Sequence, residues 1–146
     1  ARRARALCAA REEKLAALTS PDANAILDAF LSPLFAKAAS SEAGWKDYFS
    51  VIARLGEGNR WLDLLERYYD PTARLFLDAL ARALPDVSTE DLNRAFTMTL
   101  QVMLATVSRH GRVNRLTGGS VRAEDLDKAY RVLLKYVTAG IESLSR

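Results

Sequence analysis

The 146 residues include one histidine, His110, and one cysteine, Cys8. Metal chemistry and nucleophilic catalysis need such side chains in company. A di-iron site in a helical bundle takes paired Glu-x-x-His motifs, but the residue three before His110 is Val107. No spacing of cysteines and histidines suits zinc. A Gly-x-Ser-x-Gly nucleophile elbow is missing, and a catalytic triad would have to recruit His110 from the end of an apolar helix. Gly118-Gly119 lacks the lysine and the spacing of a phosphate loop and reads as a flexible turn. His110 reads as a helix-end residue whose charge suits the C-terminal dipole. The expectation is therefore no metal, no cofactor and no enzymatic activity. A lone cysteine forms no intrachain disulfide, so nothing argues for an oxidising compartment. No signal peptide is visible, and a cytoplasmic location is expected.

The remaining chemistry is recognition. Large aromatics gather between residues 30 and 76: Phe30, Phe35, Trp45, Tyr48, Phe49, Trp61, Tyr68, Tyr69 and Phe76. Such stripes at helical spacing build cores, yet aromatic walls with a few polar groups also line ligand pockets. Periodicity does not separate the two readings. As a pocket, the expected lining is Phe30, Trp45, Phe49, Trp61, Tyr68 and Phe76, joined by Met98 and Gln101 from a later helix. Tyr48, Tyr69 and the threonines at 97, 99 and 106 are further polar candidates, and Met98 and Met103 are adaptable wall residues. The lining carries few charges, which favours a lipophilic or aromatic ligand over a sugar or a nucleotide.

These residues need elements to hold them. Hydrophobic residues make up 49% and charged residues 27% of the chain, a globular balance. The net charge of +3 is too small to carry a nucleic-acid claim. The only tight basic group is the opening ARRAR, which fits a solvated helix start as well as a phosphate contact. No strand pattern is found, and prolines and glycines divide the chain into about six helices in a single domain over 1–146. The first runs from residue 2 to 18, with Leu7, Cys8, Leu15 and Leu18 inward and Arg11, Glu12, Glu13 and Lys14 outward. Ser20 is expected to cap the second helix with Pro21 at its first position, and Pro33 to bend it. A third helix is expected over 42–55, ended by the Gly-Glu-Gly turn at 56–58, and a fourth over 60–69. Asp70-Pro71 reads as the cap and first residue of a fifth segment, a kinked continuation of the fourth, with Leu75, Phe76, Leu80 and Leu84 inward. Ser88 opens a capping box for the sixth helix, which runs to about residue 110. A polar loop over 111–122 and a last helix over 123–144 follow.

Two of these helices have more apolar surface than one core needs. Fourteen residues, AFTMTLQVMLATVS, pass without a charge between Arg94 and Arg109. This is shorter than the roughly 18–20 residues of a membrane span. Leu92, Phe96, Thr99, Met103, Thr106 and His110 form one stripe, Met98, Val102 and Ala105 a second, and Leu100, Leu104 and Val107 a third. In the last helix Leu126, Tyr130, Leu133, Val137, Gly140 and Leu144 follow a heptad-like seam. A helix apolar on every side is either central in its own domain or shared with a partner. The expectation here is an antiparallel bundle whose last two helices, within 88–146, pair with their copies across a two-fold axis as a four-helix bundle. The contact residues expected are Phe96, Met103, Val107, Tyr130, Leu133, Val137 and Ile141. Such interfaces typically bury more than about 1,000 Å².

The segments in their order resemble a known family. ARRARALCAAREEKLAAL is similar to the connector helix that follows the DNA-binding domain of TetR-family transcriptional regulators. ILDAFLSPLF, with its internal Pro33, is similar to the next helix. ERYYDPTARLFLDALARALPDVSTEDL, then AFTMTLQVMLATVS, then AEDLDKAYRVLLKYVTAGI, resemble the later helices and the closing pair. The likeness covers nearly the whole chain and implies an all-helical TetR-like C-terminal domain. It further implies a homodimer and a small-molecule pocket whose occupancy controls a helix-turn-helix region that releases DNA, as in a repressor. No helix-turn-helix is found in these residues, so operator DNA would be a partner only through a region outside them. The alternative reading is a helical homodimeric interaction module with no small-molecule ligand.

Overall fold

The computed structural model describes residues 2–40, 44–55 and 58–145. Among the described residues the chain forms eight helices and no strand. They are α1 (Arg2–Ala16), α2 (Ala23–Ala39), α3 (Trp45–Leu55), α4 (Leu62–Tyr68), α5 (Asp70–Ala83), α6 (Thr89–Val107), α7 (Arg112–Leu116) and α8 (Leu126–Glu142). The all-helical class expected from the periodicity is the class observed. The expected start of the third helix at residue 42, and the first two residues of the turn at 56–58, lie outside the described residues.

Local chemistry explains where the boundaries differ from expectation. Asp22, not Ser20, caps α2, its Oδ1 accepting from the Ala25 amide at 2.8 Å. Ser20 instead has φ 44°, a left-handed turn residue between α1 and α2, so Pro21 precedes the cap rather than following it. Asp70 is the first residue of α5 rather than its cap, and only Tyr69 separates α4 from α5. Pro71 has no amide hydrogen with which to continue α4, which is why the pair breaks there. Ser88 caps α6 as expected, its Oγ accepting from the Asp91 amide at 3.1 Å. The expected polar loop holds the short α7. Asn114 secures it by donating to the Glu124 carboxylate at 3.0 Å and accepting from the Ala123 amide at 2.8 Å.

α2 is the centre of the bundle and packs against α1, α3, α5, α6 and α8. Its Ile26, Leu27, Leu31 and Leu34 are fully buried. Phe30 meets Phe76 and Phe96 edge-on, with centroids 5.0 and 5.2 Å away, which joins α2, α5 and α6. α8 runs antiparallel to α2, since Asn24 meets Thr138 while Phe35 meets Tyr130. Leu75 of α5, expected inward, is largely exposed; Phe76 and Leu80 hold the buried side of that helix.

Packing on α2 redirects the seam expected for a partner. Phe96, Met103 and Val107 of α6 and Leu133, Val137 and Ile141 of α8 are all buried inside the protomer. Tyr130 is half-buried, and its hydroxyl donates to the Asp28 carboxylate of α2. One apolar stripe on each helix is thus consumed by the central helix, and a different stripe is left outside.

Candidate ligand-binding site

A cavity of about 110 Å³ opens among α1 to α6. Leu7 and Arg11 of α1 form one wall, and Phe30 and Leu34 of α2 another. Tyr48 and Ile52 of α3, Leu65 of α4, and Tyr69, Asp70 and Ala73 at the start of α5 close the next side. Leu100, Gln101, Met103 and Leu104 of α6 complete it. The wall is mostly apolar, with four polar side chains besides the arginine, the pattern of a small-molecule site.

Arg11 is the residue that sequence reasoning put on the wrong side. It was expected at the surface with Glu12, Glu13 and Lys14, but it is 3% exposed. Its Nε donates to the Phe30 carbonyl at 2.8 Å, one Nη donates to Met103 Sδ at 3.6 Å, and the guanidinium lies 3.9 Å over the Phe30 ring. The Phe30 carbonyl is one residue beyond that of Ala29, which Pro33 deprives of its helical donor. Burial lowers the Arg11 pKa from 12.5 to about 10, so the group stays cationic at neutral pH. A signal was available: Leu7, Arg11 and Leu15 follow each other at four-residue steps, so the arginine stands on the apolar stripe.

The Tyr48 and Tyr69 hydroxyls bond to each other across the cavity wall. Burial is the main cause that raises both phenol pKa values above the ordinary 10, and both therefore hold their protons at neutral pH. Tyr48 also packs edge-on against Trp45 and Phe49.

Of the residues expected to face a ligand, Phe30 and Gln101 line the cavity. Trp45 and Phe49 are buried behind Tyr48, stacked on each other at 5.7 Å. Phe76 is sealed in the core. Tyr68 is half-buried, and its carbonyl accepts from Cys8 Sγ. Trp61 is 37% exposed with Arg60 above its ring, so it does not reach the wall. The threonines at 97, 99 and 106 return their hydroxyls to carbonyls four residues earlier on α6. Met98 and Met103 exchange the places expected of them: Met103 lines the cavity, while Met98 lies on the opposite face, 64% exposed.

That opposite face is a second feature. Met98, Val102, Tyr136, Ala139, Gly140 and Leu144 line a shallow apolar groove between α6 and α8. Tyr136 is 70% exposed and Val132, one turn before it on α8, 67%. A Cβ built on Gly140 would meet nothing within 4 Å among the described residues, so no contact among them calls for glycine there.

The fold and the site define an all-helical bundle domain with a mostly apolar cavity at one side of α6 and an exposed apolar face at the other. Residues 28–140 match the family described as tetracyclin repressor-like, C-terminal domain, and the chain belongs to that family. The match begins within α2 and leaves α1 outside it. A comparison with curated proteins finds no match. Among the described residues no helix is long and apolar enough to cross a membrane.

Proposed function

We propose that this chain is the effector-binding and dimerisation region of a transcriptional regulator, with the cavity among α1 to α6 as its ligand site. The observation that carries this reading is the position of that cavity. It touches α1, the connector helix by family resemblance, and α6, the helix whose other side is the exposed apolar face. An occupant therefore bears on both the path toward a DNA-reading region and the path toward a partner subunit.

A ligand changes DNA affinity only by binding one conformer better than the other. Size supplies that difference. A cavity of about 110 Å³ is smaller than the roughly 150 Å³ that admits benzene. Any larger effector must part the walls, and Leu7 and Arg11 carry the displacement into α1. The dimer in this reading forms through Met98, Val102, Val132 and Tyr136, not through the buried seam. Its role is regulatory rather than catalytic.

Titration with the neutral fluorescent probe phenylnaphthylamine tests the site. The wild-type chain is expected to bind it saturably, and Ala73→Phe, which fills the cavity from α5, to weaken binding roughly tenfold or more. Binding that is absent, or indifferent to Ala73→Phe, overturns the pocket.

A further inference from the structure

We propose that the cavity takes an apolar molecule ending in a carboxylate, held head-first by Arg11. This deepens, and rests on, the reading of the cavity as the ligand site.

Three observations converge. First, Arg11 is buried in an apolar wall with no carboxylate within ion-pair distance among the described residues. Its acceptors are one carbonyl and one thioether, and its other Nη has no acceptor among the described residues. The carbonyl, the thioether and the Phe30 ring are neutral and offset only part of the charge, and a buried cation is favoured further by an anionic partner. A guanidinium presents a planar fork of donors that fits a carboxylate in bidentate fashion.

Second, the Tyr48–Tyr69 pair holds two hydroxyl protons and uses one in its mutual bond. The remaining O–H is a donor without an acceptor among the described residues, on the same cavity wall. Arg11, Tyr48 and Tyr69 line the same cavity, so the cation and the spare donor face one region. An oxyanion there would accept from both.

Third, the one acidic side chain on the wall among the described residues, Asp70, forms no ion pair with Arg11. Asp70 is the first residue of α5, the end of a helix where its dipole favours a negative charge. Apart from Gln101, the rest of the wall, including Leu34, Ile52, Leu65, Leu100 and Leu104, offers apolar contact to the remainder of the molecule.

The ligand's charge is the discriminating variable, so the test holds the tail constant and changes the head. Octanoate, octanol and octylammonium are titrated calorimetrically into the wild-type chain at neutral pH. Octanoate is expected to bind roughly tenfold or more tighter than octanol, and octylammonium most weakly. Arg11→Met is expected to abolish the preference for octanoate while octanol binding persists, and Arg11→Lys to retain part of the preference. If octanol and octanoate bind wild type equally, or the Arg11→Met variant keeps the preference, the carboxylate assignment falls while the pocket stands. If none of the three binds, both fall. The wild-type comparison decides the matter by itself should either variant fail to fold.

Discussion

Phe96 separates two roles that its spacing left together. It was placed on a seam toward a partner, yet its ring meets Phe30 in the protomer core and is 2% exposed. Phe96→Ala should therefore cost about 3–5 kcal/mol of protomer stability, read as a lower denaturation midpoint. A variant that kept its stability and merely changed association would contradict that placement. Arg11 makes the reverse point: a charged residue was assigned outward by type, whereas its position on the Leu7–Leu15 stripe sends it inward. Register was the better guide than residue type at Arg11, and register alone did not choose between core and partner at Phe96. The tyrosines add a test by pH. Tyr48, Tyr69 and Tyr130 have folded-state pKa values raised above 10, chiefly by burial. Each contributes stability that is present below pH 10, the unfolded value, and is lost as pH rises toward the higher folded one. Phenolate absorbance should accordingly leave three of the five tyrosines silent through pH 10 until the chain unfolds. Arg11 opposes the trend, since its lowered pKa eases proton loss in the folded state. Ordinary titration of Tyr48, Tyr69 and Tyr130 would contradict their burial.

At the scale of elements, signals that act within one turn were legible and those that depend on neighbours were not. Ser88 was read as a cap from four residues and is one: its Oγ accepts from the Asp91 amide. Ser88→Ala should cost about 1 kcal/mol, measured by chemical denaturation, and a neutral outcome would mean that the bond adds nothing. Ser20 looked equally suitable, but Asp22 stands two residues later and its carboxylate reaches the Ala25 amide. Two nearby capping residues compete, and their identities alone do not rank them. α7 was missed because its support comes from Asn114 bonding across to Glu124 and Ala123, contacts no helical period displays. The three apolar stripes of α6 were visible, but which of them faces inward depends on where α2 lies. Phe96, Met103 and Val107 turned to the core, Leu100 and Leu104 to the cavity, and Met98 and Val102 to the outer groove. A stripe count shows how many surfaces a helix must serve and leaves their assignment to the packing.

The whole molecule carries exposed apolar groups of a kind that a monomer has reason to avoid. Val132, Tyr136 and Met98 are each more than 60% exposed and lie on or beside one groove across α6 and α8. Contiguous apolar patches of this sort mark association surfaces. Gly140 sharpens the argument. Glycine within a helix costs roughly 1 kcal/mol relative to alanine, and nothing among the described residues would meet a Cβ at that position. Close approach of a second α8 would give the glycine a purpose. Tyr136→Glu is the discriminating variant. Its side chain is 70% exposed, so the protomer should lose within about 0.5 kcal/mol. Across a two-fold axis the same change places two carboxylates in one apolar seam, where burying unpaired charge is costly. Sedimentation should show a dimer for the wild-type chain and a monomer for Tyr136→Glu, with the same helical circular dichroism for both. A wild-type monomer at micromolar concentration, or a Tyr136→Glu chain that remains dimeric, would remove α6 and α8 as the interface.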